Sequence, residues 1–141
     1  MLVALRMVSV ATLLFLLSSF TTVPTSVNFV HSNTLTTVLD QAVSEDKLVF
    51  IDFYATWCGP CRKLDRTVFG DARVASYMND NFVNYKVDIE KDNGPILAAM
   101  YGVTSLPAMI VLNEKGDVVS RKQGMTSPEY FMQFVERANA Q

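Results

Sequence analysis

The chain has 141 residues, half of them apolar, with 9 Phe, 5 Tyr and 1 Trp. That suffices for one domain with a real core and is short for two. A formal net charge of −2, with scattered Lys and Arg and no run of like charge, excludes a nucleic-acid-binding field or a charged interaction tail.

Met1 to Phe20 carries one charge, Arg6, followed by an uncharged apolar run from Met7 to Phe20. Thr21 to Ser26 is small and polar, with Pro24. This is the layout of a secretory signal, and the run is short for a membrane span, which takes ~20 apolar residues. No clear A-x-A cleavage sequence follows, so an uncleaved N-terminal anchor is the alternative reading of residues 1–26. No cysteine follows the run, which argues against a lipid-anchored lipoprotein. Leaving out Arg6 takes the 12 basic residues to 11 against 14 acidic ones, about −3 for the rest of the chain.

Residues 27–141 are expected to form one domain. Val27 to Val30 alternates weakly and reads as a short edge strand. Leu35, Val38, Leu39, Ala42 and Val43 recur at helical spacing, predicting an amphipathic helix over Thr34 to Ser44 capped by Asn33 or Thr34. Leu48 to Tyr54, LVFIDFY, is apolar except for Asp52, as in a strand covered on both faces. After Ala55-Thr56-Trp57 come Cys58-Gly59-Pro60-Cys61, where Pro60 suits a first helical turn. That helix is expected from about Cys58 to Phe69. Gly70-Asp71 breaks it, and a second helical stretch covers Arg73 to Met78. Phe82 to Ile89 alternates as a strand. Gly94-Pro95 opens a short helix through Tyr101, and Ala108 to Leu112 is a fully apolar strand. A turn at Glu114 to Asp117 leads to its hairpin partner, Val118 to Lys122. Ser127-Pro128 caps a closing helix that sets Tyr130, Phe131, Phe134, Val135 and Ala138 on one side. Alternating elements followed by a hairpin predict an α/β protein, a mixed central sheet with helices on both faces.

The two cysteines are three apart, which excludes the framework of a disulfide-dense mini-protein. A pair directly after a buried strand and at a helix start has defined chemistry. The helix N-terminus carries about half a positive charge, which draws a thiol pKa from ~8.5 toward ~7. Cys58 is therefore the candidate nucleophile, on the expectation that the first cysteine of such a pair is the exposed one. Cys61, one turn on and on the same face, can resolve a mixed disulfide with a substrate. Three other readings compete. A structural disulfide closing so small a ring constrains the unfolded chain little. A zinc site needs two further ligands, for which the sequence offers only His31 and carboxylates, so no metal is expected. Cysteine-protease chemistry needs a base near the thiol, and His31 is the one histidine.

The segment Asp-Phe-Tyr-Ala-Thr-Trp-Cys-Gly-Pro-Cys, Asp52 to Cys61, resembles the active-site segment of the thioredoxin family, and the similarity extends over roughly Leu48 to Ala138. The resemblance implies a thioredoxin fold and thiol–disulfide exchange through Cys58 and Cys61. It implies that Asp52 is the buried acid assisting proton transfer at the second cysteine, with Lys86 near it. An acid in an apolar strand is expected to have a raised pKa through desolvation; the competing reading is a strand-end acid in water. Leu106-Pro107 resembles the cis-proline segment that faces the cysteines and pairs with bound substrate, Gly124 a glycine late in the fold, and Trp57 the aromatic bordering the site. Gly59 and Pro60 belong to the same substrate-facing surface. His31 is expected at the surface.

Two departures bear on the partner. The proline that kinks the helix after the cysteines is absent, and TVFGDARVASYM, Thr67 to Met78, is more similar to the C-terminal thioredoxin-like domain of transmembrane thiol:disulfide interchange reductases and to small exported thioredoxin-like proteins. Ala108 replaces a threonine that often follows the cis-proline. Gly-Pro between the cysteines resembles the reductant thioredoxin, so reduction of disulfides in exported proteins is expected, with oxidase, isomerase or a non-catalytic binding module as alternatives. No flavin, nicotinamide or haem motif is present, so electrons are expected from another protein at or beyond the membrane. Nothing in the surface pattern argues for an obligate oligomer. An exported, periplasmic or extracytoplasmic location is expected.

Overall fold

Two runs without a polar stripe, Leu48–Tyr54 and Ala108–Leu112, make the middle of a five-stranded sheet, because only central strands lose water from both faces. A computed structural model describes residues 22–32 and 34–141. The apolar leader run and Asn33, one of the two candidate caps, lie outside the described residues.

In chain order the elements are β1 (Phe29–Val30), α1 (Leu35–Glu45), β2 (Leu48–Tyr54), α2 (Gly59–Thr67) and α3 (Ala72–Asn81), then β3 (Phe82–Asp88), α4 (Gly94–Met100), β4 (Ala108–Leu112), β5 (Val118–Gln123) and α5 (Pro128–Asn139). The strand order is β1-β3-β2-β4-β5. β3 pairs parallel with β1 and β2, whereas β4 pairs antiparallel with β2 and β5. This is the thioredoxin fold, and the expected α/β class and mixed sheet are observed.

Side chains alternate across a strand, so β2 divides the core. Phe50 joins Leu64, Val68, Phe69, Met109, Val111 and Phe131 under α2, α3 and α5. Val49, Ile51 and Phe53 join Val38, Tyr85, Val87 and Leu97 under α1 and α4. The register Asp52↔Lys86 and Phe29↔Asn84 brings Asp52, Lys86, Asn84 and Phe29 to the first of these faces.

The helix after the cysteines stops and restarts as anticipated. At Gly70 an added Cβ would lie 2.8 Å from the Arg66 carbonyl oxygen, so only glycine fits there. Asp71 then caps α3, its carboxylate accepting from the N–H groups of Arg73 at 2.9 Å and Val74 at 3.2 Å. Thr34 caps α1, accepting from the Thr37 N–H.

Three expectations need correction. Tyr130 is not on the inner side of α5 but 66% exposed; at ~100° per residue it lies about a quarter-turn from the stripe of Phe131, Phe134, Val135 and Ala138. Val43 is likewise exposed, and the buried seam of α1 narrows to Val38 and Ala42. β3 does not alternate between core and water: Phe82 through Tyr85 are all buried, because β3 lies between β1 and β2 with helices on both faces. Asn84 is tolerated there because its amide donates to the Asn28 and Met78 carbonyls, both at 3.3 Å.

Candidate active site: a dithiol at a helix start

β2 ends at Tyr54, a tight turn follows, and the Cys58 N–H donates to the Ala55 carbonyl at 3.0 Å. Cys58 is the N-cap of α2, one residue outside the helix rather than its first member, and Pro60 stands in the first turn, where a missing N–H costs nothing. The Cys58 sulfur accepts from the Cys61 N–H at 3.2 Å. A cap position with a backbone N–H aimed at the sulfur favours negative charge on it.

The two cysteines form a disulfide, with Cα atoms 5.3 Å apart. Exposure does not separate them: Cys58 is 3% and Cys61 2% accessible, so the expectation that the first is the exposed one does not hold in the oxidised state. Position separates them instead, since one caps the helix and the other faces inward from its first turn. Both pack with Ala55 against Tyr54, Ile89 and Leu106.

Around the disulfide the structure gathers most of the singled-out residues. Gly59 and Pro60 are exposed. Trp57 is 65% exposed, and its indole N–H donates to Glu90 at 2.9 Å. The Leu106–Pro107 bond is cis, with Leu106 half-buried and Pro107 buried. The Gly124 N–H donates to the Pro107 carbonyl at 2.8 Å, and Gly124 has φ of +79°, a conformation glycine adopts without strain. His31 is exposed, as expected.

Beneath α2 lies an ionic centre. Asp52 is 1% exposed, which removes the strand-end reading. Desolvation pushes its pKa up to about 6, with the opposing pull of Lys86 too small to cancel it. Lys86 Nζ lies 3.1 Å from Asp52 Oδ2, while Asp52 Oδ1 meets no donor among the described residues. Burial works against the Lys86 charge, but the two carboxylates around it prevail and its pKa is raised.

The second carboxylate is Asp65 of α2, which also pairs with Lys86. Sequence reasoning missed it. The available signal was its place four residues after Cys61, one turn along the same helix face. Glu90 and Phe29 were missed as well, and nothing local in the sequence marks either.

A dithiol capping a helix, beside a cis-proline and above a buried carboxylate, on this sheet, defines a thiol–disulfide oxidoreductase of the thioredoxin fold. Comparison with known proteins agrees. The family model described as Thioredoxin-like domain matches residues 35–139, and the chain belongs to that family. It is 38% identical over 77 residues to Thioredoxin-1 of Drosophila melanogaster, covering 55% of this chain and 67% of that one. It is 34% identical over 87 residues to a thioredoxin-like protein of Synechocystis, covering 62% and 77%. Among solved structures it is similar to a disulphide-isomerase-like protein from Bacteroides thetaiotaomicron, at 38% identity, TM-score 0.72 and coverage of 80% and 93%. The C-terminal domain of Neisseria meningitidis DsbD shares the fold, at 24% identity and TM-score 0.63, covering 78% of this chain and 97% of that domain.

Proposed function

We propose that the protein reduces disulfides of exported client proteins, and that Cys58 begins the reaction. The observation that carries this reading is the Cys58 sulfur at the N-cap of α2, accepting the Cys61 N–H. In the reduced protein the Cys58 thiolate attacks one sulfur of a client disulfide. A mixed disulfide forms and one client thiolate leaves. The Cys61 thiol then gives its proton to Asp52, whose Oδ1 meets no donor among the described residues, and the Cys61 thiolate attacks Cys58. The second client thiol is released, the client gains two electrons, and the Cys58–Cys61 disulfide remains. A pKa near 6 suits this task, because Asp52 is then ionised at neutral pH yet basic enough to take a proton.

Leu106, Pro107, Trp57, Gly59 and Pro60 form the surface on which the client chain lies, while Lys86 and Gly124 support it. The arrangement of apolar leader and polar Thr21 to Ser26 supports export, with residues 1–26 either removed or kept as an anchor. Since the protein ends each cycle oxidised, a donor protein at the membrane or outside it must return two electrons.

The likeness to the Bacteroides protein favours a second reading, disulfide isomerisation, in which Cys58 attacks and the client's own thiol resolves. The reduction potential of the Cys58–Cys61 couple tests the first. A value near about −270 mV, as in reducing thioredoxins, supports a reductase; one near about −120 mV, as in strong oxidants, refutes it.

A further inference from the structure

Lys86 sits inside an aromatic box. Its Nζ is 4.8 Å from the ring centroid of Phe29, 5.0 Å from Tyr54 and 5.5 Å from Phe69, within the range of a cation–π contact. Two of the walls, Tyr54 and Phe69, come from β2 and from the link between α2 and α3, but Phe29 comes from β1, the two-residue edge strand that directly follows the leader region. Phe29 meets Phe69 edge-to-face at 5.3 Å, Phe69 meets Phe50 at 5.9 Å, and Phe50 meets Phe131 at 5.6 Å. Phe29 is therefore the outer end of an aromatic row that runs into the core beside Asp52. On the water side the box is nearly closed, with the Lys86 side chain 18% exposed and that of Asp52 1%.

We propose that Phe29 is a positioning residue of the redox centre: its ring holds the Lys86 ammonium between Asp52 and Asp65 and keeps water from the Asp52 carboxyl. The proposal rests on the reading of Asp52 as the proton acceptor for Cys61. The charged and titratable groups facing Lys86 are Asp52 and Tyr54 from β2 and Asp65 from α2. A cavity of about 160 Å³ on its other side is bordered by His31, Asp88, Lys91 and Asp92.

Opening the box hydrates both Asp52 and Lys86. Desolvation is the largest influence on Asp52 and the pull of Lys86 the second. Lys86 stays charged and in contact with Asp52 Oδ2, at 3.1 Å, so relief of desolvation sets the sign and Asp52 becomes more acidic. The edge strand after the leader thus tunes a proton transfer two strands away, which gives that strand a task beyond closing the sheet.

The test follows Asp52 through its ¹³C carboxyl shift across pH in the oxidised full-length chain, and the pH profile of the exchange rate alongside. Phe29→Ala should lower the midpoint by about one unit and carry the acid limb of the rate with it. Amine labelling of Lys86, read by mass spectrometry, should rise several-fold. Phe29→Tyr, which keeps the ring, should match the unaltered protein in all three. Phe29→Val, a better strand former that also removes the ring, should behave like Phe29→Ala and serves if that variant does not fold. An unmoved midpoint in a folded Phe29→Ala or Phe29→Val protein overturns the proposal. A midpoint that moves while the rate profile stays still upholds the hold of Phe29 on Asp52 and removes the proton-acceptor reading instead.

Discussion

The two faces of the sheet solve the same packing problem with different chemistry. Under α1 and α4 the core is apolar apart from two phenols: Val49, Ile51 and Phe53 meet Val83, Val87 and Leu97, the Tyr85 hydroxyl donates to the Ser32 carbonyl at 2.9 Å, and the Tyr101 hydroxyl donates to the Gly116 carbonyl at 3.1 Å. Under α2, α3 and α5 the sheet carries Asp52, Lys86 and Asn84 among phenylalanines. Burying charge costs stability unless it is paired, and the pairing is incomplete, since Asp52 Oδ1 and Asn84 Oδ1 find no donor among the described residues. Both faces hold a buried core, but only the second buries an ion pair within it.

Substitutions on each face sharpen the contrast. The largest effect is expected at the site face, where Cys58→Ser should reduce exchange to the uncatalysed level while the thermal midpoint of the reduced protein stays near its original value. Cys61→Ser should instead trap mixed disulfides with clients, detectable on non-reducing gels. On the apolar face Phe53→Ala should cost ~3–5 kcal/mol by denaturant unfolding, and should leave the Cys58–Cys61 potential unchanged provided the protein folds.

Asp52→Asn should do the opposite. A carboxyl whose pKa is about 6 when folded and 3.8 as a free group favours the folded state below the lower value. That contribution is lost as pH rises through the upper one. The substitution should therefore stabilise the protein by ~3 kcal/mol above pH ~7, with the gain vanishing below pH ~4, while slowing exchange. A gain that persists in acid would mean that packing, not ionisation, is responsible. The smallest effect is expected at the helix restart, where Asp71→Ala removes a cap and should cost ~1 kcal/mol with exchange unaltered.

Much of this was legible in the chain itself. Leu48–Tyr54 and Ala108–Leu112 declare themselves as central strands by lacking a polar stripe, and Gly70-Asp71 marks a helix break because one residue lacks a side chain and the next can cap. Cys58 and Cys61 were found because their chemistry is local, a dithiol at a helix start; Asp52 stands out as the one acid in an apolar run, and its role came from the family resemblance. The failures are equally particular. Tyr130 and Val43 were assigned inward because periodicity gives the width of an apolar stripe less well than its direction. β3 was expected to alternate because Asn84 and Lys86 are polar, yet the sequence does not say that β1 will close over that strand.

The sequence determined the order of elements, the dithiol and its place at a helix N-terminus, since each depends on residues within a few positions of one another. The tertiary structure alone decided that Asp65 shares Lys86 with Asp52, that Glu90 holds the Trp57 indole, and that Phe29 closes the box. Those contacts join residues 21 to 57 positions apart in the numbering, and only the register of the strands and the seat of α2 on the sheet bring them together.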